Sequence, residues 1–488
     1  MSSFMANNDK ESFAKELWKK HKGQAIYSQY TPFIISLAAG NLPLETFEAY
    51  LYQDIHYLVA YAQAAYIAQE YAEDTKTKQT LQNLGDDSIL YIETYASFFQ
   101  ELGLEYKPGS VPKNEATIKY IDFLLEAART KITVYTFAAM TPCERLYAYL
   151  GWEVNNTLTP EELKANKYKR WIEENSSGPP EPKKRRNLRS AENMEYFINK
   201  LSAGLPQEEL DKIEEYYKKG LEHETEFFLA QEIVGQEVVV PLWQQLRGLK
   251  FPLVSNFDLC CTKSSIDSER LQVYEQGIAN ELLKRIPPGE YNFAAIQEAF
   301  AFVSNLEKTS FPKDVSFGEF QPKSDSINLM LNVLQKDYLD ASAYVISAYW
   351  SDDTILSALT KGLEHKISHA GNKGSVESSI DKLEAFIDIL KKNDNQGNNL
   401  SLYIGDSVGD LLCLLKSDIG GIVNGSYEEL LKVGQHFLVS FVPLFKGLID
   451  KQREYKKQVS LSSWKPNPGV IYTFTYWAEI EAFILVGS

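Results

Sequence analysis

Apolar and aromatic residues recur at helical spacing through the first half of the chain. In the stretch 44–72 they return every three or four positions without the strict alternation of a strand, a pattern typical of amphipathic helices. The sequence Thr159-Pro160 followed by two acids marks one helix start, with threonine as the cap and proline in the first turn. Residues 5 to about 235 are therefore predicted to form an all-α bundle.

The pattern changes near residue 250, where short apolar runs begin to alternate with helix-patterned pieces such as 379–392. Buried strands that alternate with helices are typical of an α/β domain with a mostly parallel sheet. The predicted strands are 251–257, 342–350, 400–406 and 419–423. The segment 236–250 is the predicted junction, which gives two domains, 1–240 and 241–488.

The length and the charge restrict the functions of the chain. A chain of 488 residues is too long for one ordinary core. The net charge of −16 argues against nucleic acid or an anionic membrane as the main partner. The four cysteines have no spacing typical of disulfides or zinc, which favours a reducing compartment. There is no apolar run of the roughly 20 residues that a membrane span needs, and no secretory signal, so the predicted location is cytoplasmic.

One segment, residues 174–193, combines three prolines, a glycine and a cluster of basic residues. Proline lacks the backbone N–H that a helix interior needs, so this composition predicts an exposed loop in place of a continued helix. A nuclear-localisation signal or a patch for an anionic partner is the alternative interpretation of the basic stretch at 178–190.

Two acids follow the predicted strand at 400–406. Asp406 and Asp410 stand four positions apart at a helix entry, and ligands of open α/β sheets bind at the carboxyl ends of strands. Carboxylates so placed suit a hard cation such as Mg²⁺, whereas the plainer alternative is a helix cap beside a solvated acid. Asp258 ends the first strand, Ser347 ends the second, and Lys382 is expected just ahead of a helix at 383. Phosphoryl chemistry uses such a set of acids, hydroxyl and lysine.

The order of these residues resembles that of the haloacid dehalogenase-like phosphatases over roughly 250–488. Asp258 matches the family's general acid, and the residues from about 265 to 338 match a helical cap inserted after the first strand. The resemblance implies substrate binding by Ser347 and Lys382. It implies a metal site made by Asp258, Asp406 and Asp410.

The family's nucleophilic aspartate is absent, because the matching position holds Asn256. An amide oxygen is neutral and a poor nucleophile, so the resemblance implies a phosphatase domain that is weak or inactive. The domain has either drifted to a structural or binding role or carries an introduced change at this position. Cys260, which stands where the family has threonine, favours drift.

Polar residues also occur among the apolar residues of the predicted helices in the first half. Asp54 and Tyr57 are three apart, and Cys143 and Tyr147 are four apart, so each pair shares one helix face. Tyr120 and Glu224 lie in other helices. Taken singly, such residues are more often packed aromatics, a small buried cysteine or an exposed acid.

Taken together they resemble the TenA (thiaminase II) family over roughly 5–235, an all-α bundle of the haem-oxygenase-like type. The motifs that carry the resemblance are Gln-Asp-x-x-Tyr-Leu at 53–58, Pro-Cys-x-x-x-Tyr at 142–147 and Glu-x-x-Phe-aromatic at 224–228. The resemblance implies a pocket for the aminopyrimidine half of thiamin. Asp54 would bind the ring nitrogen and amine, and Tyr57 and Tyr120 would form walls of that pocket.

The same resemblance implies the catalytic groups. Cys143 would attack the ring carbon as a thiolate, Tyr147 would hydrogen-bond near the sulfur, and Glu224 would move protons. The chain departs from the family at Asn175, where a tyrosine that stacks on the pyrimidine is expected. This departure implies that the ligand of the pocket can differ from the ligand of the family.

A TenA half followed by a phosphatase half resembles the plant bifunctional proteins of thiamin salvage. The predicted function is hydrolysis of a carbon–nitrogen bond of an aminopyrimidine or thiamin-related compound. A repurposed enzyme that acts on another amine or heterocycle, and a non-enzymatic binding protein, are the alternatives. The expected partner is a small-molecule substrate, the expected assembly is a homo-oligomer through the helical domain, and Mg²⁺ in the second domain is the one expected cofactor.

Overall fold

The structure is a computed structural model with two compact units. It describes residues 12–176, 186–246, 248–257, 260–261, 268–310, 324–347, 355, 367–370, 376–393, 399–423, 428–455, 464 and 467–488. The first unit comprises Met1–Val238 with Ile449–Lys457 and Gly487, and the second comprises Val239–Leu448 and Gln458–Val486 with Ser488. The predicted general acid Asp258 lies outside the described residues, as does the basic stretch from 177 to 185.

The described part of the first unit is helical, as the spacing of its apolar residues predicts. Its helices up to residue 229 are α1 (Phe13–Gln29), α2 (Pro32–Ala39), α3 (Leu44–Tyr71), α4 (Thr75–Glu101), α5 (Glu115–Arg129), α6 (Thr133–Thr157), α7 (Pro160–Ala165), α8 (Lys169–Asn175), α9 (Arg186–Ser202) and α10 (Gln207–Leu229). Thr159 caps α7 with a reciprocal bond to Glu162, which confirms the predicted helix start.

The loop predicted over 174–193 is wrong at both ends. Helix α8 continues to Asn175, and α9 begins at Arg186. Residues 187–200 place Ala191, Met194, Phe197 and Ile198 in the core at helical spacing. This apolar stripe outweighs the basic character of the segment, because Arg189 and Lys200 are exposed while the stripe packs in the core.

A glycine lets α10 approach α6 closely. A Cβ atom on Gly220 would lie 2.8 Å from Cγ of Pro142, a distance that real side chains do not tolerate. Pro142 precedes Cys143 on α6, and Glu224 lies one helical turn beyond Gly220 on α10. The close contact therefore sets the level at which Cys143 and Glu224 face each other.

The second unit contains a seven-stranded sheet in which every described pair of strands is parallel, as predicted. The strands are β1 (Lys250–Asn256), β2 (Asp340–Ile346), β3 (Ile367–Ala370), β4 (Leu402–Gly405), β5 (Ile419–Val423), β6 (Ser440–Pro443) and β7 (Val470–Phe474). Their order in the sheet is β3-β2-β1-β4-β5-β7-β6. The central strands β1, β4 and β5 are buried almost throughout, as strands covered on both faces should be.

The second unit also contains helices. They are α11 (Ser268–Leu283), α12 (Phe293–Ser310), α13 (Ser324–Leu334), α14 (Ser379–Lys392), α15 (Leu411–Lys416), α16 (Glu428–His436), α17 (Leu444–Tyr455), whose residues from Ile449 belong to the first unit, and α18 (Trp477–Leu485). Three of them, α11 to α13, lie between β1 and β2 in the chain. Helix α14 begins at Ser379, as the helix pattern over 379–392 predicts, and the Ser378 side chain caps it by accepting from the backbone N–H of Asp381. Lys382 therefore lies in the first turn of this helix and not just ahead of it.

The register of the sheet brings three chain segments to one edge. Asn256, the last residue of β1, pairs with Ile346, the last residue of β2, and β1 also pairs with β4. Gly405 ends β4, and a Cβ atom there would lie 2.5 Å from Cβ of Asp410. The glycine therefore allows the chain to turn back so that Asp410 lies against the end of the strand.

Candidate functional site

The helical unit holds a buried chain of hydrogen bonds that joins three helices. The Tyr57 hydroxyl on α3 donates to the Tyr120 hydroxyl on α5 at 3.2 Å. The Tyr120 hydroxyl donates to Oε1 of Glu224 on α10 at 2.8 Å. All three side chains are almost fully buried. Since buried polar groups are costly without partners, this chain fixes the position of the Glu224 carboxyl group.

Cys143 on α6 completes this arrangement. Its thiol lies near the Glu224 carboxyl group and the Tyr57 hydroxyl, and it interacts with both electrostatically. Burial, followed by the charges of Glu224 and Glu144, raises the pKa of the Cys143 thiol well above its usual range. The resting site therefore holds a neutral thiol, and a thiolate forms only when a neighbouring base removes the proton.

Glu224 is suited to be that base. Burial raises the pKa of Glu224 from 4.5 to about 8, against the opposing effect of its hydrogen bonds with Tyr120 and Cys143. Near neutral pH both protonation states of the carboxyl group are therefore accessible. A group of this kind can take a proton in one step and return it in the next.

A second set of hydrogen bonds approaches the same region from α8. The Trp171 indole Nε1 donates to the Tyr50 hydroxyl at 3.1 Å, and the Tyr50 and Tyr147 hydroxyls are 3.0 Å apart. Tyr147 lies one turn beyond Cys143 on α6. Our sequence analysis missed Tyr50, although its spacing of four residues from Asp54 places it on the same face of α3.

Helix α4 supplies a further tyrosine that no motif indicates. The Tyr95 hydroxyl donates to Oδ2 of Asp54, and both side chains are buried. Tyr91 packs edge-on against the Tyr95 ring, with 5.5 Å between the ring centroids. Asn175, which stands where a tyrosine is expected, accepts a hydrogen bond from Asn187 at 2.6 Å. Tyrosines of α4 and two amides therefore line the same cavity as Cys143.

A small cavity of about 40 Å³ lies between these side chains. That volume accommodates a few water molecules, so lining side chains must move before a substituted six-membered ring can enter. Of the six predicted site residues, Asp54, Cys143 and Tyr147 line the cavity, whereas Tyr57, Tyr120 and Glu224 are not among its lining residues. The full lining is Tyr50, Leu51, Asp54, Leu58, Tyr91, Tyr95, Phe98, Cys143, Glu144, Tyr147, Trp171, Asn175 and Asn187.

The α/β unit holds a second polar cluster at the edge where β1 and β4 end. The Asn256 amide nitrogen donates to Oδ1 of Asp406 at 2.6 Å, and its oxygen accepts from the Lys382 ammonium group at 3.0 Å. Lys382 also donates to Oδ1 of Asp410 at 2.7 Å. All four side chains are buried. The structure thus brings together Asn256, Lys382, Asp406 and Asp410, and Ser347 follows the neighbouring strand directly.

The lysine and aspartate of this cluster form an ion pair. Burial opposes the charge of Lys382, but the Asp410 carboxylate outweighs burial and raises the pKa of the lysine. Burial likewise opposes the charge of Asp410, but Lys382 and hydrogen bonds from Tyr403 and backbone N–H groups lower the pKa of that carboxyl group. The buried thiol of Cys260 lies 3.5 Å from Oδ1 of Asp406.

The described residues of this cluster do not fit Mg²⁺ as they are arranged. Mg²⁺ requires oxygen ligands, and Asp406 faces the N–H group of an amide where a cation would lie. Asp410 accepts hydrogen bonds from Lys382, Tyr403 and Ser407 and from backbone N–H groups. Within the described residues, no group of three or more His, Cys, Asp and Glu side chains could hold a metal ion.

Known proteins resemble both units of the chain. Residues 19–232 match the TENA/THI-4/PQQC family. The protein named "Bifunctional TH2 protein, mitochondrial" from Arabidopsis thaliana is 32% identical over 563 aligned residues, which cover 97% of this chain and 89% of that protein. The chain belongs to the bifunctional TH2 protein family. This membership spans the helical and the α/β unit, and the predicted resemblance to the plant bifunctional proteins is confirmed.

Two further proteins are similar to part of this TH2 family chain. The protein named "Aminopyrimidine aminohydrolase" from Staphylococcus saprophyticus is 26% identical over 223 residues, covering 44% of this chain and 92% of that protein. A solved TenA homologue from P. horikoshii OT3 is 22% identical, covers 45% of this chain and 98% of its own, and has a TM-score of 0.38.

The location predicted for the chain stays a prediction. The Arabidopsis member of the TH2 family is named as mitochondrial, whereas our sequence analysis predicts a cytoplasmic protein. None of the described helices combines the length and the hydrophobicity that a membrane crossing requires.

Proposed function

We propose that the chain is a TenA-type hydrolase of thiamin salvage, which cleaves the carbon–nitrogen bond of an aminopyrimidine in its helical unit. The observation that carries the proposal is the Cys143 thiol held against a Glu224 carboxyl group whose pKa is about 8. Asp54 lines the same small cavity as Cys143 and suits an amine or a protonated ring nitrogen. The similarity to an aminopyrimidine aminohydrolase and to a bifunctional TH2 protein supports this function.

The reaction follows from the positions of the two groups. Glu224 takes the thiol proton as the Cys143 sulfur bonds to a ring carbon, and the electrons that enter the ring expel the amine from the exocyclic carbon. Glu224 returns its proton to the departing amine. Water then adds to the exocyclic carbon and gives a proton to Glu224. The sulfur leaves with its bonding electrons and recovers that proton, so the products are an alcohol and ammonia.

The proposal is tested with the aminomethyl form of the pyrimidine half of thiamin. The full chain should release ammonia and form the hydroxymethyl pyrimidine, both followed by chromatography of timed samples. The absence of turnover, with binding retained, would favour the non-enzymatic alternative. Turnover of another amine or heterocycle alone would favour the repurposed enzyme, for which the Asn175–Asn187 pair at the cavity is the supporting observation.

We expect Tyr95→Phe to weaken substrate binding more than it slows the chemical step. Without the Tyr95 hydroxyl, the Asp54 carboxylate loses the donor that fixes its direction, and a lost hydrogen bond to a charged group costs about 1.5–3 kcal/mol. KM should therefore rise by roughly ten-fold or more, with kcat nearly unchanged in steady-state assays.

A matched control is Tyr66→Phe, which removes a tyrosine hydroxyl bonded to Asp86 at 2.8 Å on the surface. It should leave both kinetic constants unchanged. An unchanged KM in Tyr95→Phe, with Tyr66→Phe behaving as the wild type, would exclude a role of Tyr95 in substrate binding.

For the α/β unit we propose a haloacid dehalogenase-like fold with α11 to α13 as the helical cap and with little or no phosphatase activity. Parallel β1, β2 and β4 and the cluster at their carboxyl ends support the fold. Lys382 and Ser347 would bind the phosphate group in an active relative, but Asn256 offers a neutral amide at the nucleophile position. We also propose that the chain divides functionally near residue 240 and forms a homo-oligomer through its helical domain.

Restoring the acid should restore part of the phosphatase chemistry. We expect Asn256→Asp to release phosphate from thiamin monophosphate in the presence of Mg²⁺, because a carboxylate can attack phosphorus where an amide cannot. Phosphate release is measured colorimetrically, with Asn256→Ala as the control that lacks both amide and acid. Robust activity of the unmodified chain that survives in Asp406→Ala would contradict the proposed inactivity of this unit.

A further inference from the structure

The Asn256 amide is held in one orientation by neighbours of opposite charge. Its oxygen accepts from the Lys382 ammonium group at 3.0 Å, and its N–H₂ group donates to the Asp406 carboxylate at 2.6 Å. The reverse orientation would place an N–H₂ group against an ammonium group and an oxygen against a carboxylate. The neighbours thus fix the amide with its positive end toward Asp406.

The other members of the cluster are satisfied by the chain itself. The Asp410 carboxylate accepts from Lys382, from the hydroxyls of Tyr403 and Ser407, and from the backbone N–H groups of residues 406 and 407. The Asp406 carboxylate accepts from the Asn256 amide and lies 3.5 Å from the Cys260 thiol. Among the residues that the structure describes, the negative charges of this buried edge are therefore balanced by one lysine and by hydrogen-bond donors.

We infer that the Asn256 amide takes the place of a divalent cation, so that the described residues of this edge of the sheet are satisfied without metal. An N–H₂ group that donates to Asp406 does locally what a cation between two carboxylates would do. It offsets the negative charge of Asp406 and joins β1 to the turn after β4. Residue 256 then determines whether the α/β unit needs a metal ion, and this inference is independent of the proposed chemistry in the helical unit.

An aspartate at position 256 would reverse the situation. In the present geometry its second oxygen would stand 2.6 Å from Oδ1 of Asp406, where the amide nitrogen now lies. Two carboxylates at that distance cannot both remain charged without a proton or a cation between them. Mg²⁺ binds oxygen ligands at 2.0–2.1 Å and would fit between two such groups after they separate slightly.

The test compares the thermal unfolding of the full chain in EDTA and in millimolar Mg²⁺, followed by differential scanning calorimetry. The wild type should have the same transition temperatures in both solutions. The variant Asn256→Asp should unfold several degrees lower in EDTA and recover in Mg²⁺, since a change of about 1 kcal/mol shifts Tm by roughly 2–4 °C in a domain of this size. The reciprocal double variant Asn256→Asp/Asp406→Asn again has one amide and one acid at this edge. It should have the same transition temperatures in EDTA and in Mg²⁺.

Binding of Mn²⁺, detected by electron paramagnetic resonance, provides a second readout without activity. One ion should bind to Asn256→Asp and none to the wild type or the double variant at the same concentration. The inference is overturned if the wild type binds one ion per chain, or if Mg²⁺ raises the Tm of the wild type by as much as it raises the Tm of Asn256→Asp. It is also overturned if Asn256→Asp is insensitive to Mg²⁺. If Asn256→Asp does not fold, a stable double variant supports the inference and an unfolded one contradicts it.

Discussion

Replacing Cys143 with serine should reduce kcat for release of ammonia from the aminopyrimidine by about 1,000-fold or more, as expected for loss of a catalytic nucleophile. Serine preserves the shape of the side chain, but its hydroxyl is a far weaker acid than a thiol. A carboxylate with a pKa of about 8, such as Glu224, cannot remove a hydroxyl proton to a useful extent. Ammonia release is measured with matched concentrations of wild type and variant.

The matched control for this variant is Cys260→Ser. It makes the same replacement at a buried cysteine of the α/β unit and should leave ammonia release at the wild-type rate. Substrate binding by Cys143→Ser, measured by calorimetry, should stay close to that of the wild type, because the thiol attacks the ring without holding it. If Cys143→Ser retained more than a tenth of the wild-type kcat, the Cys143 sulfur would not be the nucleophile of the reaction.

Replacing Glu224 with glutamine should lower kcat by about 100- to 10,000-fold, the usual range for a general acid–base group. It should also change the pH profile. Below pH 8 the wild-type carboxyl group is mostly protonated and cannot accept the thiol proton, so kcat/KM of the wild type should rise with pH up to about 8. The rising limb should disappear in Glu224→Gln.

Two measurements separate catalysis by Glu224 from a merely structural effect. Glu226→Gln changes an exposed carboxylate of the same helix, which lies 3.4 Å from His223, and should preserve both rate and profile. The pKa of Glu224 is raised on folding, so the stability that its protonated form provides is lost as pH rises from about 4.5 to 8. Glu224→Gln should therefore gain stability relative to the wild type across that window. A pH-independent difference in Tm would contradict the raised pKa.

Short motifs in the sequence predict which polar residues of the helical unit share a helix face. Cys143 and Tyr147 share a face of α6 because they are four apart, and the glycine at position 220 brings Glu224 opposite them. Tyr95 could not be found in this way. Its partner Asp54 is 41 positions away on another helix, and nothing in the local pattern distinguishes a tyrosine that bonds a carboxylate from one that only packs.

The α/β unit illustrates the same limit. Periodicity predicts four of the seven strands, and strand ends predict that Asn256 and Asp406 meet at one edge. The direction in which the Asn256 amide faces depends on Lys382, which is 126 positions away and enters from α14. The sequence does not predict that α9 begins at Arg186, because prolines and basic residues precede it. These residues suggest a loop and make the helical spacing of the buried apolar residues in α9 hard to recognise.

The order of the strands has a consequence for how this unit folds. Strands β1 and β4 are neighbours in the sheet, yet Asn256 and Asp406 are 150 positions apart, so their contact forms only after a long loop has closed. An edge of two carboxylates would repel at that moment until an ion arrived from solution. With an amide on one side, this contact uses groups that the chain already carries. If Asn256 replaces the cation as we infer, the refolding rate of the α/β unit should not depend on the supply of metal.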